Sequence, residues 1–419
     1  MRCKRALCAA ILGFCMPVAV CAQTSDAESL GFSSARLAAI RPWYQARIDA
    51  GALTGAVVAI ARNGKIAYLE SIGTQDRAKR IAMKADAIFW IASMTKPITS
   101  VAAMMLVEEG KLDLAAPVYR YLPALKDMQV GAEKVDATTG ASTVALEPAK
   151  RPMTVRDLLQ HTSGLVYPQE GDTVIHKLYR RAVFRRDATL AQFVASLAEL
   201  PLAHQPGEVW EYSWGVDVLA HVVEVASGQP FDQFLESRIF KPLGMVDTGF
   251  YVPEQKLTRL VDPPPSGREA IWDVTRPSRL FSGGGGLVST AHDYLRFCQM
   301  LLNGGELDGV RVLAPQTVQQ MTVASLPPDI RFAGFVGGFM GPNWGSSWGL
   351  GFAVRTDRKP GLVPGRVGSF TWGGLWETKF WIDPAEKLAV VQMIQVEPDH
   401  PEYWQALARF TYDSLRASR

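Results

Sequence analysis

Cysteine is scarce and is placed where it cannot hold a fold. Of the five cysteines, Cys3, Cys8, Cys15 and Cys21 fall within the first 22 residues, which leaves Cys298 alone in the rest of the chain. One thiol makes no internal disulfide, so a packed core has to supply the stability. Charge of one sign is lacking too. The chain has 44 Lys and Arg against 41 Asp and Glu, and Arg2, Lys4 and Arg5 lie before residue 23, so the remainder is balanced at 41 and 41. That balance excludes the electrostatic footprint of a nucleic-acid binder or of a protein drawn to an anionic membrane surface. The six histidines, His161, His176, His204, His221, His292 and His400, show no zinc-site spacing, so neither metal nor cofactor is expected. Long apolar runs are absent after Ala6 to Val20, and none of the later ones would span a bilayer.

That first run has a charge cluster before it and Val20-Cys21-Ala22 after it. The order of charge, apolar run and small residue predicts a secretory signal peptide over residues 1–22, cleaved after Ala22, and hence a periplasmic or secreted protein.

What remains is 48% hydrophobic and 20% charged by overall composition, enough for one large domain or two interlocked ones. "SSARLAAIRPWYQARIDAG" reads as a helix capped at Ser33 or Ser34 and ended by Gly51. Two apolar runs flank Asn63-Gly64, a strong hairpin signal. Residues 118–280 read as helices and long loops with few convincing strands. Strands return at "GLGFAVRT", "GSFTWGG", "TKFWIDP" and "KLAVVQMIQV", and a helix closes the chain. This pattern predicts an α+β fold. One antiparallel sheet is built from both termini (residues 23–117 and 281–419) and flanked by helices, with a helical domain (118–280) inserted.

Three short elements carry chemistry. Ser93-Met94-Thr95-Lys96 opens a helix, which places a hydroxyl and an amine on one face, one turn apart. A serine becomes a nucleophile when a neighbour takes its proton, and a lysine held neutral can do so. Tyr212 precedes the apolar-periodic "GVDVLAHVVEVASG", and a tyrosine beside a cation such as Lys96 can act as a base. "SFTWGGLWE" sets Gly373 and Gly374 in an edge strand, where a substrate can lie against the backbone. A competing motif, Gly345-Ser346-Ser347-Trp348-Gly349, satisfies G-x-S-x-G. A nucleophile elbow requires a helix next and then an acid and a histidine on later strands, whereas here "LGFAVRTD" follows as a strand and only His400 remains among histidines downstream, in a Pro-rich turn.

In this order the three elements resemble the serine beta-lactamase and penicillin-binding-protein superfamily, with its S-x-x-K, Y-x-N and K-T-G signatures. With "LLQHTSGL", "PLGM" and "FSGGGGLVSTAHDYLRF", the chain is most similar to the family VIII carboxylesterases of that superfamily. The resemblance implies Ser93 as the acylated nucleophile, Lys96 as its proton acceptor and Tyr212 as proton donor and deacylation base. It implies an oxyanion hole from the backbone amides of Ser93 and Leu375. Two indoles depart from the lactamase pattern: Trp214 replaces the amide of Y-x-N and Trp372 the cation of K-T-G. With Gly373, Gly374 and Trp376 they are expected to bind substrate and to favour uncharged esters. The rival expectations are a beta-lactamase, an amidase or D-aminopeptidase, and a penicillin-binding protein that acylates without turnover. The expected partner is a small-molecule ester, with no obligate protein partner.

Overall fold

A computed structural model of the chain describes residues 25–135, 142–264, 273–359, 361 and 363–416. The expected signal peptide, residues 1–22, lies outside the described residues. The centre of the structure is an eight-stranded antiparallel sheet. Its order is Ser346–Trp348, Ala353–Arg355, Phe370–Gly373, Lys379–Asp383, Leu388–Ile394, Gly55–Arg62, Lys65–Asp76 and Ile81–Ala82. The two ends of the chain meet in the middle, where Ala59 pairs with Val391 and Ala56 with Ile394. Asn63 and Gly64, at φ 53° and 76°, make the predicted hairpin turn, whose two left-handed residues match the twist of the strands they join.

Both faces of the central strands are buried, in strict alternation. Val57, Ala59, Val391 and Met393 face a large core, while Val58, Ile60, Val390 and Ile394 face a smaller one. The smaller core is covered by the terminal helices, Ile40–Asp49 and Glu402–Ser414, through Ile40, Tyr44, Tyr403 and Leu407. The larger core continues without a break into Leu158, Phe193 and Leu219 of the middle segment. No strand of the eight-stranded sheet comes from described residues between 118 and 280.

Two local departures from the sequence reading have simple causes. The first helix is split into Ser34–Leu37 and Ile40–Asp49. Pro42 has no N–H to give to Ala38, and its ring crowds that carbonyl. The middle segment contains an antiparallel hairpin, Gln129–Val135 with Ser142–Pro148. Its strands are largely exposed and lack an apolar alternation, so the periodic signal that marks the sheet strands is missing.

Candidate active site

Ser93 lies at a bend between a strand and a helix. Ala92 has φ of 41°, a left-handed backbone uncommon for a residue with a Cβ. It turns the chain from Phe89–Trp90 into a single 3-10 turn, Ala92–Met94, which runs into the helix Thr95–Glu108. Thr95 Oγ1 donates to Ala92 O at 2.6 Å and accepts from Leu287 N at 3.1 Å. The Tyr294 hydroxyl donates to Met94 O at 2.9 Å. The serine is thus fixed by contacts from its own helix, from Leu287 just ahead of the short strand Val288–Ser289, and from the helix Ala291–Leu302.

Lys96 is fully buried, with Nζ 3.2 Å from Ser93 Oγ and 2.7 Å from Gly284 O. The amine also lies over the rings of Tyr212 and Tyr167, at 4.4 and 5.1 Å from their centroids. Loss of water pulls its pKa down to about 7, and the nearby carboxylates of Asp217 and Glu170 oppose that pull. An ordinary lysine would be a cation here. This one is part neutral near pH 7 and can accept a proton.

Tyr212 follows the short strand Val209–Glu211, which pairs in parallel with Arg331–Ala333. Its hydroxyl accepts a hydrogen bond from Trp372 Nε1 at 3.1 Å. Burial raises the phenol well above its ordinary pKa, and hydrogen bonds with Ser93 and Trp372 offset this only in part. Tyr212 therefore rests as a phenol. This refines the sequence expectation of a tyrosine base: with Lys96 short of charge, no full cation stabilises a phenolate.

Trp372 and Gly373 end the strand Phe370–Gly373, and Gly374 follows it, alongside the turn that holds Ser93. A Cβ on Gly374 would lie 2.4 Å from Ile91 O and 2.2 Å from Thr378 Oγ1, so only glycine lets this strand approach the residues before Ser93. The Leu375 side chain is 51% exposed. The described residues offer no hydrogen-bond acceptor to the Ser93 or Leu375 amide.

The three indoles expected to bind substrate make the following contacts within the chain. Trp372 spends its N–H on Tyr212 and packs edge-on against Trp348, with centroids 4.6 Å apart. Trp214 sits one side chain back, against Tyr167, Phe184 and Phe193. Trp376 is buried against Trp90, with centroids 5.9 Å apart. Of the other tryptophans near the motif, Trp348 is in the core and donates to Leu159 O, while Trp344 is partly exposed. Ser347 lies in the outermost strand of the sheet, and Trp348 next to it pairs with Ala353 of another strand. The strand-to-helix turn of a nucleophile elbow is not formed there.

Sequence reasoning missed the two carboxylates near Lys96, Asp217 and Glu170. Asp217, fully buried, accepts from the Ser282 hydroxyl, from Gly284 N at 3.0 Å and from the Tyr167 hydroxyl at 3.3 Å. Burial raises its pKa, and the charge of Lys96 and these hydrogen bonds hold it down. Glu170 is buried with Oε2 accepting Val336 N at 2.9 Å, and burial lifts its pKa to about 7. His161 bonds Ser213 Oγ through Nδ1 at 3.1 Å, and its ring lies against Tyr212. Burial first, and then the charge of Lys96, lower its pKa well below the ordinary value, so it is a neutral brace. An aspartate inside an apolar-periodic helix was the one available signal for Asp217.

Comparison with known proteins gives the family. The sequence profile of the Beta-lactamase family matches residues 40–410. Protein Rv1367c of Mycobacterium tuberculosis is 39% identical over 365 residues, covering 84% of this chain and 88% of that protein. Esterase EstB of Burkholderia gladioli is 32% identical over 393 residues, covering 87% and 90%. Among solved structures, EstCE1, a hydrolase with promiscuous acyltransferase activity, superposes with a TM-score of 0.72 at 26% identity, covering 92% of this chain and 99% of that one. The chain belongs to the beta-lactamase family, as a serine hydrolase of the branch that holds the family VIII esterases.

Proposed function

We propose that the protein hydrolyses carboxylic esters through an acyl-enzyme on Ser93. The observation that carries this reading is the buried Lys96, 3.2 Å from Ser93 Oγ and with its pKa lowered to about 7. Ser93 Oγ attacks the ester carbonyl while its proton passes to neutral Lys96. The oxyanion forms against the Ser93 and Leu375 amides, where fixed donors stabilise developing charge. As the C–O bond breaks, the leaving alkoxide takes the phenolic proton of Tyr212, and Tyr212 regains one from Lys96. Water then attacks the acyl-enzyme and gives its proton to Tyr212 as the phenol passes its own to neutral Lys96, and the Lys96 ammonium returns a proton to the Ser93 oxygen as the acyl C–O bond breaks.

Esters are favoured over lactams by the contacts of Trp372. A lysine in its place could hold a lactam carboxylate, whereas the indole has one N–H, already given to Tyr212. The experiment compares p-nitrophenyl butyrate, nitrocefin and a D-alanyl peptide, with Ser93 trapped and read by intact mass. Ester turnover that vanishes in Ser93→Ala is the expected result. Turnover confined to the lactam or the peptide, or a penicilloyl adduct that never clears, would replace this reading with one of its rivals.

We further propose export to the periplasm or medium. The check is the N-terminus of the protein recovered from fractionated cells, expected to begin at Gln23.

A further inference from the structure

Two histidines that look unrelated in the sequence converge on one carboxylate next to Tyr212. His176 Nε2 lies 2.7 Å from Glu211 Oε1, and His204 Nε2 bonds Glu211 Oε2. Glu211 is 2% exposed and His176 5%. Burial works against the Glu211 charge, but the two imidazole hydrogen bonds outweigh it and hold its pKa at about 2. A carboxylate only accepts, so both rings carry a proton on Nε2. His176 Nδ1 completes its own bonding with Thr173 Oγ1 at 2.7 Å.

The clamp joins three separate segments. Glu211 ends the strand Val209–Glu211, His176 belongs to the helix Val174–Tyr179, and His204 lies on the loop before the strand. Glycines make the approach possible. A Cβ on Gly171 would lie 2.6 Å from His176 Cε1, and one on Gly334 would lie 3.1 Å from Glu211 Cγ and 2.9 Å from Glu170 Oε2. On the backbone, Glu211 N donates to His161 O at 3.0 Å, and Ala333 is the register partner of Glu211. Nothing in the clamp touches Ser93, yet the next residue is the one whose hydroxyl must reach both Ser93 and Trp372.

We propose that Glu211 is a positioning residue: through His176 and His204 it fixes the backbone that sets the Tyr212 hydroxyl between Ser93 and Trp372. The proposal rests on the reading of Tyr212 as the proton donor and deacylation group. Sub-ångström placement of such a group matters, because a misplacement of about 1 Å can cost on the order of a hundredfold in rate.

The test uses p-nitrophenyl butyrate and the full chain. Glu211→Gln keeps the shape but sets an amide N–H against one imidazole N–H. We expect deacylation to become limiting, so that kcat falls roughly ten- to a hundredfold, KM falls with it, and butyryl-Ser93 accumulates at steady state by intact mass. His176→Gln supplies an amide donor in place of the imidazole and should recover most of the activity lost in His176→Leu. This second pair keeps the test open if Glu211→Gln fails to fold. Wild-type kcat in a folded Glu211→Gln, or equal damage in His176→Gln and His176→Leu, overturns the clamp. Tyr212→Phe is run alongside. If it turns over normally, the tyrosine reading falls and takes the clamp's purpose with it. If it is inactive while Glu211→Gln is not, only the clamp falls.

Discussion

Lys96 is the residue on which the site's charge balance turns. With neutral Lys96 as the proposed base, kcat/KM should fall as pH drops below about 7, where the amine becomes protonated. The negative charge of Glu170 holds that pKa up. Glu170→Gln should therefore move the acid limb to lower pH, and a pH–rate profile that stays in place or moves upward would refute the coupling. The same burial costs stability. Because the folded-state pKa is below the ordinary lysine value of 10.5, the contribution of Lys96 is complete above that value and is lost as pH falls through 10.5 toward about 7. Urea titrations of a Lys96→Met variant should show a gain over wild type that grows down that window. Ser93 and Ser347 divide as their surroundings do: Ser93→Ala should abolish ester turnover, and Ser347→Ala should leave it within about twofold, as expected of a surface-strand change. The S-x-x-K pair was legible because helix geometry alone sets residues three apart on one face. The lowered pKa of Lys96 was not, because it depends on burial by distant residues.

At the scale of elements, the helix Gly215–Ser227 and the glycine turn after Ser282 act together. Asp217 on the helix holds the turn through Ser282 and Gly284, and Gly284 in turn offers its carbonyl to Lys96. A Cβ on Gly284 would lie 2.2 Å from Asp217 Oδ2. Asp217→Ala removes one partner of a buried charged cluster, and breaking such a pairing costs roughly 3–5 kcal/mol, readable as a lower denaturation midpoint. Asp217→Asn should cost less and also lower the pKa of Lys96, since it deletes a charge that favours the ammonium. Both the helix and the turn were legible, the first from its apolar period and the second from its run of glycines. Their contact was not, because nothing in either segment encodes a partner 65 residues away. The same holds for Trp372. Its place on a strand follows from alternation, but the destination of its N–H is a tertiary fact. Trp372→Phe keeps the ring packing and removes that hydrogen bond, so it should lower kcat on esters while changing the melting temperature little. A retained kcat would show that Tyr212 needs no such restraint.

For the whole molecule, the decisive feature is that the sheet is closed by the two ends of the chain. The C-terminal strand Leu388–Ile394 lies between Gly55–Arg62 and Lys379–Asp383, and the helix Glu402–Ser414 covers the face that holds Tyr44 and Val390. Truncation before Pro401 would expose that apolar face, and the product should aggregate or lose its cooperative melting transition. This architecture was readable from the distribution of strand patterns toward both ends, since period-two alternation survives wherever one face of a strand is distinguished from the other. The exposed hairpin of the middle segment escaped because it has no such contrast.

The order in which the chain is made gives this closure a further meaning. Ser93 and Lys96 are synthesised early, yet Trp90 O just before them receives its hydrogen bond from Gln395, and Gly374 supplies the close backbone contact at Ile91 O. A nascent chain carries Ser93 and Lys96 for some three hundred residues of translation before Gln395, which holds the backbone just ahead of them, exists. Competence therefore arrives with completion. Any chain released early has a serine and a lysine one turn apart, and no enzyme.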